Sequence, residues 1–332
     1  MQERGKMNFE INNAKIMKVR NVRHGKRSRD KDNMTTSDID VSVLIRTKNE
    51  ERFIGETLDV LYSQTHRNLE VIIVDSGSTD RTLEIARKYP VRIYEIKPED
   101  FTWGYSLNYG FKRANGKYVI NLSAHALPLS NDWVETLIAN FSAEDVAAVM
   151  SRNLPCPDCN PFDRRGLLKK YNIPKQEIKG GAPYIFANYS SAIRKSAWEK
   201  VHYDEALTYA EDHDWAIKVG GLGYKIIYEP AAETYHSHNE TLKQIYRRSY
   251  VEACALTVLE YEKFTIPGIL FDLFAGSVYD MLYVIIKRDH VKWFFFAPLR
   301  RFAVNYARFK AIRVADRGEA AMRSFNRQSR RA

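Results

Sequence analysis

The sequence predicts an α/β fold, with a central, mostly parallel sheet flanked by helices and a helical C-terminal extension. Three observations predict it. Short β-branched apolar runs alternate with helical periodicity between residues 41 and 150. The runs at 41–45, 71–74 and 118–122 stop at small polar or acidic residues, as the carboxyl ends of strands beside a ligand crevice do. Beyond Thr241 only the helical period remains.

Val41-Ser42-Val43-Leu44-Ile45 reads as a buried strand, broken by Arg46-Thr47-Lys48-Asn49-Glu50-Glu51. Over 53–64, Phe53, Ile54, Thr57, Leu58, Leu61 and Tyr62 recur at helical spacing. Val71-Ile72-Ile73-Val74 then stops at Asp75-Ser76-Gly77-Ser78-Thr79-Asp80. Strand, helix and strand form a right-handed βαβ crossover, so both polar stops meet at one mouth of the sheet, and a nucleotide site is the first expectation. Ser78 is placed to cap a helix to about residue 89, residues 91–96 alternate as a third strand, and Thr102 is placed to cap a helix through 114. Residues 118–122 form a fourth strand ending in Ser123-Ala124-His125. Ser130 is placed to cap a helix through 141, and residues 146–150 form a fifth strand.

The pattern changes at residue 151. Pro155, Pro157, Pro161, Pro174 and Pro183, with Gly180-Gly181, mark a long irregular segment of the kind that serves a site rather than a core. Cys156-Pro157-Asp158-Cys159 lacks the second pair of a zinc site and the strand–helix setting of a redox pair, and reads as a loop. Residues 184–193 read as strands, Ala210-Glu211-Asp212-His213-Asp214-Trp215 opens a helix, and strands at 224–228 and before Tyr235-His236-Ser237-His238 follow.

Length and charge set the bounds. The chain has 332 residues, 45% of them hydrophobic, enough for one large domain with an appendage. We divide it into a basic arm at 1–38, disordered or loosely attached and without a signal peptide, a domain at 39–240, and a helical region at 241–332. The net charge of +10 is uneven: the arm holds ten Lys/Arg against five acids, residues 287–332 thirteen against three, and the body between them 28 against 33. Basic ends suit an anionic surface, and with no recognition module present no nucleic-acid partner is expected. Three cysteines exclude a disulfide scaffold and point to a reducing compartment. The apolar run at 269–286 is interrupted by Asp272 and Asp280 and reads as a helix with a polar face. Pro298 is placed to start a helix with Leu299, Phe302, Tyr306 and Phe309 on one face and arginines around them, which fits a membrane interface.

Taken together, these stretches resemble the inverting glycosyltransferases of family 2, with the GT-A fold, and most closely their bacterial rhamnosyltransferase-like members. The resemblance covers about residues 41–315. It rests on VSVLIRTKNEE at 41–51, VDSGSTD at 74–80, FANYSSAIRKSAWEKVHYDE at 186–205, YAEDHDWAIK at 209–218 and YEPAAETYHSH at 228–238.

The resemblance implies sugar transfer from a nucleotide-sugar donor, dTDP-rhamnose or a UDP-sugar, to a lipid-linked glycan acceptor in cell-envelope polysaccharide synthesis, at the cytoplasmic face of the membrane. It implies that Thr47, Asn49, Glu50 and Asp75 hold the nucleoside, that Ser123, Ala124 and Arg194 bind the sugar nucleotide, and that Asp212 is the catalytic base. Glu211 and Trp215 fall on the acceptor side. Where most members carry Asp-x-Asp for Mn2+ or Mg2+, this chain has Ser123-Ala124-His125. Either a divalent cation is kept on His125, His236 and His238, or Lys48, Arg194 and His238 stabilise the leaving diphosphate. A rival reading is a non-catalytic nucleotide- or glycan-binding relative. A nucleotidylyltransferase would need a glycine-rich loop, and residues 46–51 hold no glycine.

Overall fold

The computed structural model describes residues 39–178, 186–207, 209–258 and 263–315; the expectations for the arm at 1–38 and for residues 184–185 lie outside the described residues. Strand β1 (Val41–Thr47), helix α1 (Ile54–Tyr62) and β2 (Leu69–Asp75) form the expected crossover, with Thr47 paired to Asp75. Helix α2 (Thr82–Ala86) and β3 (Arg92–Glu95) follow, then α3 (Trp103–Phe111), whose Tyr105 N–H is capped by the Thr102 hydroxyl. Ser78 does not cap α2. Its N–H donates to Asp75, and Asp80 accepts from Thr82 N–H at 2.9 Å instead, so the helix starts later and is short. β4 (Tyr118–Ser123), the two-residue β5 (Leu127–Pro128), α4 (Trp133–Ile138) and β6 (Val146–Leu154) come next. Ser130 likewise caps nothing, and α4 begins without a side-chain cap.

The segment expected to be irregular contains helix α5 (Pro161–Tyr171). Asn160 caps it, accepting from Phe162 and Asp163 N–H, and Pro161 sits at the first helical position, where its missing N–H costs nothing. β7 (Gln176–Ile178), β8 (Ser190–Arg194), α6 (Lys195–Lys200) and α7 (Glu211–Gly221) lead to β9 (Lys225–Tyr235). β9 merges the two strands expected at its ends, and its register against β6 slips between Ser151 and Arg152, beside Pro230. Three helices close the described chain: α8 (Leu242–Val258), α9 (Ile266–Lys287) and α10 (Lys292–Ala315). Pro298 lies inside α10 rather than at its start.

The strands form one sheet in the order β3-β2-β1-β4-β8-β6-β9-β5, with β7 paired to β9. It is parallel across β3, β2, β1 and β4 and between β6 and β9, and antiparallel where β8 enters. Alternate residues feed two cores. Val41, Val43 and Ile45 pack with Leu58, Leu61 and Trp133 on one face, and Leu44 packs with Leu107 and Phe111 on the other.

The direction of β8 corrects the expectation for Arg194. Because β8 runs against β4, Arg194 pairs with Tyr118, at the opposite end of β4 from Ser123. Its guanidinium is 2% exposed and donates to the carbonyls of Phe141, Ala143 and Val146 at 2.8–3.0 Å. It ties the start of β6 to the end of β8 and is not at the site. Arg194→Met is expected to lower unfolding stability by about 3 kcal/mol while leaving nucleotide affinity unchanged, read by denaturant titration and nucleotide titration. A nucleotide-binding defect in a stable variant would contradict this placement.

Candidate active site

The carboxyl ends of β1 and β4 and the amino end of α7 open on one cleft of about 520 Å³, lined among others by Arg46, Trp103, Ser123, His125, Glu211, Asp212, His236 and His238. Residues separated by almost two hundred positions thus meet. α5 supplies another wall through Phe162, Asp163, Gly166 and Lys170.

Glu211 and Asp212 occupy the first turn of α7, where the helix dipole favours acids. Ala210, which precedes them, holds φ at 63°, a left-handed conformation uncommon for alanine, and this turns the helix start into the cleft. Glu211 is 6% exposed. Below it runs a chain of buried hydrogen bonds: Asn121 donates to Asn188 at 3.0 Å, Tyr203 donates its hydroxyl to Asn188 at 2.9 Å, and Asn188 donates to Glu211 at 3.4 Å. Burial and then the Asp212 carboxylate raise the pKa of Glu211; burial also raises that of Asp212. Arg46 opposes both shifts, its Nη1 lying 3.9 Å from Glu211 Oε1 and its guanidinium 4.7 Å over the Trp103 ring. Arg46 is an end-of-strand residue for which our sequence reading assigned no role. The available signal was a cation closing an otherwise apolar strand.

The histidines form a second group. His125 and His236 stack with centroids 4.9 Å apart, and His238 meets both edge-on at 4.8 Å. One ring nitrogen from each lies within 4.8 Å of the others, among the described residues the one such cluster of three. Burial, with His125 and His238 close by, lowers the His236 pKa well below the ordinary value, so its imidazole is neutral and able to ligate. Glu50 Oε1 lies 2.9 Å from His125 Nδ1. A proton shared there leaves Nε2 with its lone pair, the arrangement that a carboxylate behind a metal-ligating histidine supplies. The three imidazoles fit a divalent transition ion better than Mg2+, which prefers oxygen ligands. The Cys156–Cys159 loop braces this group from behind: Cys156 N–H donates to Ser237 Oγ at 3.0 Å and Asn160 N–H to Asn239 at 3.2 Å.

Several expected contacts are used otherwise. Asp75 is fully buried, with both carboxylate oxygens 2.9 Å from Ser78 N–H. Asn49 accepts from Thr79 N–H at 2.8 Å, its own N–H donates to Ser78 Oγ, and Glu50 holds His125, so these side chains staple the two strand-end loops. Thr47 and Ala124 are buried beside them, and of the residues expected at the nucleotide Ser123 lines the cleft. Lys48 is exposed outside the cleft lining. Trp215 does not reach the acceptor side. It is fully buried, donates to Val201 O at 2.7 Å and packs on Phe186 and Tyr203.

The family model "Glycosyl transferase family 2" matches residues 42–201. The O-antigen chain rhamnosyltransferase RfbN of Salmonella typhimurium is 30% identical over 223 residues, 63% of this chain and 70% of that one. The chain belongs to glycosyltransferase family 2. The O-antigen chain rhamnosyltransferase WbaN of Salmonella anatum is 32% identical over 59% of this chain, and the match spans 65% of that relative's length. Among solved structures, the mannosyltransferase PcManGT of Pyrobaculum calidifontis, in complex with GDP-Man and Mn2+, has a TM-score of 0.57 at 16% identity, over 92% of this family 2 chain and 94% of its own. That likeness shows the GT-A architecture.

The buried acids carry a stability consequence. A carboxyl whose pKa is raised on folding destabilises the folded chain as pH climbs above its unfolded value, near 4, and through its folded value. Glu211→Gln is therefore expected to stabilise the protein at pH 8 by on the order of 1–3 kcal/mol, with the advantage disappearing as pH falls towards about 4. An advantage that does not change with pH would contradict the burial cost assigned to Glu211.

Proposed function

We propose that this family 2 enzyme transfers a hexosyl group, rhamnose from dTDP-rhamnose or a sugar from a UDP-sugar, with inversion, to a hydroxyl of a lipid-linked cell-envelope glycan at the cytoplasmic membrane face. The observation that carries the proposal is the Glu211–Asp212 pair opening a helix into the same cleft as the three histidines. Relatives named as O-antigen chain rhamnosyltransferases support the sugar and the acceptor class.

Asp212 is the base. It takes the acceptor hydroxyl proton as that oxygen attacks the anomeric carbon from the face opposite the nucleotide, and the bond to the diphosphate oxygen breaks with its electron pair leaving on the nucleotide. Burial raises the Asp212 pKa and so strengthens it as a base, while the His213 and Asn188 N–H groups and then Arg46 act against the shift. Glu211, held by Asn188 and Arg46, sets the position of the helix start. His125, His236 and His238 would hold a divalent ion, with Glu50 orienting His125. Such an ion, when bound, neutralises charge on the leaving diphosphate. A non-catalytic relative would have no use for a buried and a half-buried acid whose charge costs stability.

Asp212→Asn is expected to lower turnover about 10³-fold with nucleotide affinity within about twofold of the parent chain, measured by single-turnover kinetics and nucleotide titration. A loss of less than about tenfold would remove Asp212 from this role. For the ion, Co2+ added to the protein is expected to give a visible absorption band that His236→Ala abolishes and Glu50→Gln weakens by about tenfold in affinity. Undiminished Co2+ binding by His236→Ala would rule out the histidine site.

A further inference from the structure

The pair α9 and α10 is built inside out. On α9, Phe271, Phe274, Val278, Leu282 and Ile285 recur at three- and four-residue spacing, each 50% exposed or more, with Phe271 at 73% and Phe274 at 69%. On α10, Phe295, Leu299, Phe302 and Tyr306 recur at the same spacing and are also exposed, Tyr306 least at 41%. The charged residues face inward. Asp280 is fully buried and takes Arg301 Nε at 2.7 Å and the Arg165 guanidinium from α5. Asp272 accepts from Arg301 at 2.5 Å and Asn305 at 2.8 Å. A Cβ at Gly276 would lie 2.9 Å from the Arg301 guanidinium, so a larger residue there would push that group off its acids.

This is the reverse of a soluble helix pair, and an apolar face of this extent on a monomer marks an interaction surface. The chemistry around it selects the partner. The face is rich in aromatic rings, and exposed Lys287, Arg288 and Lys292 stand at the turn between the helices. In sequence, residues 316–332 add five arginines against two acids. Aromatic and aliphatic side chains bordered by cations match an anionic lipid surface, where each cation adds about 1 kcal/mol, whereas a second copy would set like charges against each other.

Length and composition alone would let α9, with its 22 mostly apolar residues, cross a bilayer. The ion network forbids it. Crossing would carry Asp280 and its arginines into hydrocarbon, and one of those arginines is on α5, a wall of the cleft. We propose that the outer faces of α9 and α10 form a membrane seat that lies in the plane of an anionic bilayer, held from crossing it by the Asp280–Arg165–Arg301 network. The same network sets the cleft beside the lipid. Arg165 links α5 to α9, and Arg300 of α10 lies 2.8 Å from Asp163 of α5. The seat does not depend on the transferase reading, because its test reads binding and depth rather than turnover.

The test uses the full chain and vesicles of phosphatidylcholine with or without phosphatidylglycerol. Wild type is expected to float with the phosphatidylglycerol vesicles and to bind them at least about tenfold more weakly at high salt. The double variant Phe271→Glu/Phe274→Glu, checked for an unchanged circular dichroism spectrum, is expected to stay in solution. Single variants Phe271→Trp, Val278→Trp and Ile285→Trp, each compared with the parent chain, report depth through quenching by brominated lipids. Equal, shallow quenching at all three positions supports the in-plane seat; deepest quenching at 278 would mean a spanning helix and overturn it. Wild type that ignores both vesicles, or that sediments as a dimer which the double variant abolishes, would overturn it as well.

Discussion

Two carboxylates at the start of one helix cannot both be charged in a largely enclosed cleft unless a cation stands beside them, and here that cation is Arg46. Much of the site follows from this constraint. Arg46 is the next-to-last residue of β1, the strand that pairs with both β2 and β4, so its position is set by the centre of the parallel half of the sheet. The acids come from α7, far along the chain, and are steered by the left-handed backbone at Ala210 and by the Asn121–Asn188–Tyr203 hydrogen bonds under them. Arg46 offsets part of the cost of charging these acids, and the hydrogen bonds hold their positions. The strand ends are thus not merely near the acids; they are the counter-charge and the floor that let the acids stay buried.

The histidine group answers a different problem. A chain with Ser123-Ala124-His125 where its family carries Asp-x-Asp has no carboxylate there to hold a divalent cation against a diphosphate. His236 and His238, carried past the slipped register and Pro230 of β9, come to stand against His125, and Glu50 sets the tautomer from the far side. The carboxylate nearest this group, Glu50, comes from the loop after β1 and touches His125 from behind. Asn49, Ser78 and Thr79 serve the same end by holding the two strand-end loops in register, which keeps Glu50 beside His125.

What was legible in the sequence and what was not divides along physical lines. Local signals marked these elements: continuous apolar runs for β1, β2 and β4, helical spacing for α1, and the Thr102 cap for α3. Helix α5 was hidden because a proline at the first helical position looks, locally, like a proline that breaks a helix. Arg194 was misplaced because nothing in its neighbourhood says that β8 runs antiparallel; only the pairing with β4 sends it to the far end of the sheet. Trp215 follows the acids in sequence but, three residues on, has turned to the buried side of α7. Asp212, His125, His236 and His238 were found through motif resemblance, while Arg46 and Asn188 escaped because their role exists only once separate elements are assembled.

The central claim is that acids and histidines serve a single sugar diphosphate in one cleft. Anomalous diffraction from crystals grown with Mn2+ and a nucleoside diphosphate tests it most directly. The account predicts an ion on His125, His236 and His238 with the diphosphate against it and the Asp212 carboxylate facing the vacant sugar position. An ion bound elsewhere, or a nucleotide outside the cleft between α7 and the strand ends, would contradict it.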